Sequence, residues 1–172
     1  MRNATRTALM VLATALATAL VASAVSAATS AGGTSVVGVK VVRGTPSNII
    51  STTSETFEDV PEATTSVTVP PGSKGLVIVR FAGQAGCSSA IATAFCSVRI
   101  MVGDQQAQPK TIGAAFIFVE AEPDGLYGSY AVERSRSGLA PGTYPVTVQW
   151  RSTSGAEFTL ENWHLTVETW AQ

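Results

Sequence analysis

The sequence is short of charge. Only 13% of its 172 residues are Asp, Glu, Lys or Arg, against about a quarter in an ordinary globular domain. Its 11 basic and 12 acidic side chains nearly cancel, for a formal net charge of −1. A near-neutral chain lacks the basic surface that draws nucleic acid or an anionic membrane, so neither is expected as a partner. Ligating side chains are scarcer still, with one His and two Cys. Most zinc and iron–sulfur sites need three or four nitrogen or sulfur ligands, and this chain cannot supply them. A Gly-x-Ser-x-Gly elbow is also missing, so the single imidazole, His164, has no evident nucleophile to activate. No convincing helical period follows the first 35 residues.

What is present begins with an export signal. Arg2 and Arg6 form a positive start, and Ala8 to Ala22 is an uncharged Ala/Leu/Val/Thr run. Two small-residue cleavage sites follow, Ala22-Ser23-Ala24 and Val25-Ser26-Ala27. The second is preferred because the chain turns polar directly after it. Residues 1–27 are therefore read as a signal peptide with a helical h-region. The competing reading is a membrane anchor, since Thr7 to Val39 is uncharged and long enough to span. Its Ala and Thr favour insertion far less than Leu or Ile, which weighs against the anchor. No lipobox Cys follows, so no lipid anchor is expected. Cleavage removes two arginines and leaves 145 of the 172 residues, with nine basic and twelve acidic side chains and a net charge of −3. The expected location is outside the cell, without a membrane span once the signal is gone.

Export decides the cysteines. Cys87 and Cys96 meet an oxidising compartment as an even pair, so a disulfide is expected. It closes a ring of about ten residues, for which chain entropy assigns roughly 2.5–3 kcal/mol.

Residues 28–35 read as a flexible linker, and residues 36–172 as one domain built of strands. Val36–Val42 is β-branched, Ser47 to Thr56 reads as an ordered loop, and Ser66–Val69 alternates before Pro70-Pro71-Gly72. Leu76 to Phe81, Ser97 to Val102, Ala115 to Glu120, Tyr127 to Glu133, Thr143 to Arg151 and Phe158 to Trp170 continue the series. Tyr144, Val146, Val148 and Trp150 share one face. Pro145 among them points to an edge position or a strand start, because proline donates nothing to the ladder. Phe158 and Leu160 have one parity and Trp163, Leu165 and Val167 the other, which predicts a bulge near Glu161-Asn162. About eight or nine such strands predict an all-β fold, a two-sheet antiparallel β-sandwich or jelly roll. Leu76–Val79 and Phe116–Val119 are apolar on both faces. Either loops cover them or a second copy of the chain does.

Candidate site residues are few. His164, between core-facing Trp163 and Leu165, is expected to face away from the core as a structural side chain rather than a base. Glu120, Glu122 and Asp124 form the densest acidic cluster. Paired carboxylates are what glycosidases use, and their hard oxygen ligands would also suffice for a Ca²⁺ site. The simpler reading is a solvated strand end and turn, since Pro123 breaks the strand. Tyr127 and Trp170 are the candidates for stacking on a sugar ring. No catalytic constellation and no required cofactor emerge.

The segments Glu133-Arg134-Ser135, Leu139 to Arg151 and Phe158 to Glu168, with Val67 to Phe81 and the Cys87/Cys96 pair, resemble a group of uncharacterised secreted β-sandwich proteins of bacteria, especially actinobacteria. The Gly-x-Tyr-x-Val-x-Val strand is also distantly similar to the jelly rolls of the C1q and tumour-necrosis-factor type. The resemblance implies a compact, export-competent domain and carries over no catalytic residue. The functional expectation is a secreted, non-enzymatic β-sandwich that binds or assembles at the cell surface or beyond it. The partners considered are another copy of itself and a glycan or other cell-envelope component. The alternative is a secreted carbohydrate-active protein, either a glycan-binding module or a hydrolase using Glu120 and Glu122.

Overall fold

A computed structural model describes residues 32–33, 35–45, 48–110 and 116–172. The expected signal peptide and most of the expected linker lie outside the described residues. Ten strands follow in chain order: β1 (Ser35–Arg43), β2 (Ile50–Thr52), β3 (Glu58–Val69), β4 (Gly75–Ser88), β5 (Phe95–Val102), β6 (Gln105–Gln106), β7 (Ile117–Glu120), β8 (Gly128–Leu139), β9 (Gly142–Arg151) and β10 (Glu157–Ala171). They form two antiparallel sheets of five strands. Sheet I runs β1-β10-β4-β8, with β2 continuing the β1 edge of β10; sheet II runs β3-β9-β5-β6, with β7 also on β5. This is the expected all-β sandwich.

Alternation explains the packing. Val77, Val79 and Phe81 of β4 and Trp163, Leu165 and Val167 of β10 are buried in sheet I. Val98, Ile100 and Val102 of β5 and Val146, Val148 and Trp150 of β9 are buried in sheet II. Each such side chain removed from water contributes roughly 1.5–3 kcal/mol, offset by its lost conformational freedom. Phe158 ties the aromatic part of this core together, lying 5.4 Å from Trp150 and 6.2 Å from Phe118 between ring centroids.

The disulfide forms as expected and joins the layers. Cys87 is on β4 of sheet I and Cys96 on β5 of sheet II; both are buried and their Cα atoms are 5.9 Å apart. The bulge in β10 also forms. The β10–β4 register shifts between Glu161 and His164, and Asn162 takes a φ of 49°. Two residues there oppose Gly83, where a Cβ would lie only 2.9 Å from the Trp163 Cβ. Glycine lets the bulged backbone come that close.

Pro145 departs from expectation. It is the fourth residue of β9, an interior strand, opposite Ser66 of β3. Its carbonyl accepts from Gly103 N–H at 2.7 Å, just past the last β5 pair, Val102 with Val146. Its missing N–H therefore costs only a bond at the end of that ladder, which is why an interior strand tolerates it.

Candidate functional site

The register lines up the outer face of sheet I in rows across four strands. Val39, Glu168, Ile78 and Ser135 form one row; Val41, Thr166, Arg80 and Glu133 form the next; Arg43, His164, Ala82 and Ala131 form a third. These rows give the face three zones.

The first zone is apolar. Val36, Val39 and Val41 of β1 are 52%, 56% and 45% exposed, although all three pair with β10, Val36 across a register shift from the other two. Beside them Trp170 is half-buried and donates from Nε1 to Glu168 Oε2 at 3.3 Å. Gly33 crosses so close to Trp170 that a Cβ at position 33 would overlap it.

The second zone is an ion triad. Arg80 Nε lies 2.5 Å from Glu133 Oε2, and its Nη1 reaches Glu168 Oε1. The hydrogen bonds that Arg80 donates to Glu133 and Glu168, followed by the carboxylate charges, raise its pKa above the ordinary value. The guanidinium stays charged and orders the centre of the face.

The third zone is a shallow depression of about 400 Å³ lined by Ala82, Gly83, Gln84, Ser129, Tyr130, Ala131, Asn162 and His164. Ala82, Gly83 and Ala131 are its small residues, and Gln84, Ser129, Asn162 and His164 its polar ones. Asn162 Nδ2 donates to Gln84 Oε1 at 2.8 Å, so the bulge presents a paired amide at the surface. His164 is exposed, on the face opposite buried Trp163 and Leu165, as its parity predicts.

The outer face of sheet II differs. Arg99 donates to Gln149 Oε1 at 2.6 Å, and Gln149 donates to Asp59 Oδ1 at 2.7 Å. Arg99 and Arg151 both lie over the Phe57 ring, at 4.2 and 4.7 Å from its centroid. Burial, then the neighbouring Arg151 charge, lowers the Arg99 pKa. This face uses its polar groups on one another.

The residues singled out by sequence are spread out. Glu120 ends β7 and is exposed. Glu122 follows it at an isolated bridge to Ser88, and Asp124 lies in the Pro123-Asp124-Gly125 turn; both are exposed. Among the described residues, no three or more His, Cys, Asp or Glu side chains are grouped to hold a metal ion. Tyr127 and Trp170 do not share a platform. Trp170 pairs with Leu76, whereas the Tyr127 ring lies beside Gly86. Ten residues of β4 separate those positions, about 33 Å of strand. Sequence reasoning missed the depression, whose residues come from three strands distant in the chain. It also missed the exposed valines. The available signal was that five of the seven residues from Val36 to Val42 are valine, spread over both parities.

No family model matches this chain, and no curated protein matches it.

Proposed function

We propose that this protein is a secreted, non-enzymatic β-sandwich module that binds or assembles at the cell surface or outside the cell. Its working surface on this reading is the β1 side of sheet I. One observation carries the reading: Val36, Val39 and Val41 stand half-exposed in line while the sandwich has a separate, filled core. Exposed apolar strips of this kind mark contacts. The inter-sheet disulfide suits an oxidising compartment. The test is co-sedimentation of the purified protein with isolated cell envelopes. Binding that falls when Val39 and Val41 are both changed to Ser supports the module. A protein that neither sediments with envelopes nor self-associates contradicts it.

A second reading is glycan binding, favoured by the depression over β10, β4 and β8. Its paired Gln84 and Asn162 amides, with Ser129 and His164, offer donors and acceptors of the kind sugar hydroxyls require. Glu120 and Glu122 do not line it, so this geometry favours a binding module over a hydrolase. A glycan array with Gln84→Ala beside the unaltered protein tests this reading. Binding lost with Gln84 supports it, and an array without any bound glycan excludes it.

A further inference from the structure

We infer that β1 is a self-pairing edge: two copies of the chain join through antiparallel β1 strands into one continuous ten-stranded sheet. The inference rests on the reading of the β1 side as the working surface and names its occupant.

The first argument compares edges among the described residues. Edge strands are normally blunted by proline, charge, bulges, shortness or cover. On β3, Pro61 and a positive-φ Glu62 interrupt the edge, and Glu58 and Asp59 add charge. On β8, Gln108 pairs with Ser135 through two main-chain hydrogen bonds of 2.7 and 2.9 Å. The other edge strands, β2, β6 and β7, are three, two and four residues long. β1 has nine residues, five of them valine, with no proline and no acid, and its one register shift, between Val36 and Gly38, lies before the regular stretch from Val39 to Arg43. Its one mid-strand charge, Lys40, is turned away to the Ser66 carbonyl oxygen on β3.

The second argument is the hydrogen-bond phase. Gly44 N–H donates inward to Trp163 O at 3.0 Å, and the β1–β10 register runs without a shift from Arg43 to Val39. By the alternation of an antiparallel ladder, Val42 and Lys40 bond to β10, whereas Val39, Val41 and Arg43 turn their N–H and C=O groups to the free edge.

The third argument is charge. A two-fold axis at Val41 sets Val41 against Val41 of the second copy and Val39 against Arg43. Lys40 then meets Val42, so no like charges oppose. About six main-chain hydrogen bonds form this way. An axis at Lys40 would oppose two lysines, which is unfavourable. The Val41 register therefore satisfies both the free backbone groups and the charges.

The test is light scattering of the purified protein over a concentration series, beside Val41→Lys, which places two lysines on the axis. Val41 is 45% exposed, so the variant should fold, with the parent's far-ultraviolet circular dichroism. The expected result is a dimer that grows with concentration in the parent and is lost in the variant. A monomeric parent at millimolar concentration, or a variant that dimerises equally, overturns the inference. Cysteine pairing decides independently if Val41→Lys fails to fold. Val41→Cys should be joined into a linked dimer by a short bis-maleimide, because residues directly opposite in a hydrogen-bonded pair have Cα atoms only about 5.5 Å apart. The equally exposed Val36→Cys should not. Equal cross-linking at both positions, or none at 41, overturns it. A monomer that still binds envelopes removes self-pairing and leaves the module; a dimer that binds none confirms self-pairing and confines the module to assembly.

Discussion

Lys40 on β1 donates its ammonium to the main-chain carbonyl oxygen of Ser66 on β3, 2.5 Å away. One hydrogen bond thus ties the edge of sheet I to the edge of sheet II. It also removes from β1 the lysine that would otherwise guard it. Lys40→Ala should lower stability by about 0.5–1 kcal/mol, the range for an exposed bond to a charged donor. Urea denaturation read by tryptophan fluorescence measures this. An unchanged midpoint would show that the tie holds nothing.

The disulfide should contribute more. Cys87 and Cys96 close a nine-residue separation and join the two layers. Replacing both by Ala should cost about 2.5–3 kcal/mol, seen as a lower denaturation midpoint. The parent with reductant should shift the same way. A midpoint indifferent to reductant would mean that the core alone holds the layers.

The bulge gives a sharper contrast. Asn162 sits at a φ of 49° and Gly83 faces it. Asn162→Gly should be nearly neutral, whereas Asn162→Val should cost about 1–2 kcal/mol in that left-handed position. Gly83→Ala should also destabilise, since its Cβ meets the Trp163 Cα at 3.1 Å as well as Cβ. Thermal melts of the three variants check the order; a valine variant as stable as the parent would refute the strained-bulge account.

Much of the fold is legible along single strands. Tyr144 to Trp150 announces its buried face, and the parity change between Leu160 and Trp163 announces the bulge. The lengths of β3 and β4 are less legible, for local reasons. Glu58 to Ala63 lacks alternation because a register shift falls between Asp59 and Thr64. Ala82 to Gly86 has no large apolar side chain to mark an alternation, yet neighbours on both sides pair with it as strand. The surface is least legible. Arg80, Glu133 and Glu168 meet because three registers align them, and nothing local to any one of them specifies that. The same holds for Ala82, Ala131 and His164 in the depression.

Core and edge should respond oppositely to truncation. Phe158→Ala removes a fully buried ring at the centre of the aromatic cluster and should cost about 3–5 kcal/mol. Val39→Ala removes as exposed a valine as the strand has and should change stability by less than about 0.5 kcal/mol, while weakening association. A large loss of stability from Val39→Ala would show that β1 serves the fold rather than a partner.

Residue-resolved amide exchange at two protein concentrations tests the central claim most directly. If β1 is a self-pairing edge, the Val39, Val41 and Arg43 amides exchange slowly at high concentration and lose protection on dilution, while Lys40 and Val42 stay protected throughout. Fast exchange of Val39, Val41 and Arg43 at every concentration, at the rate of an open strand edge, would contradict it.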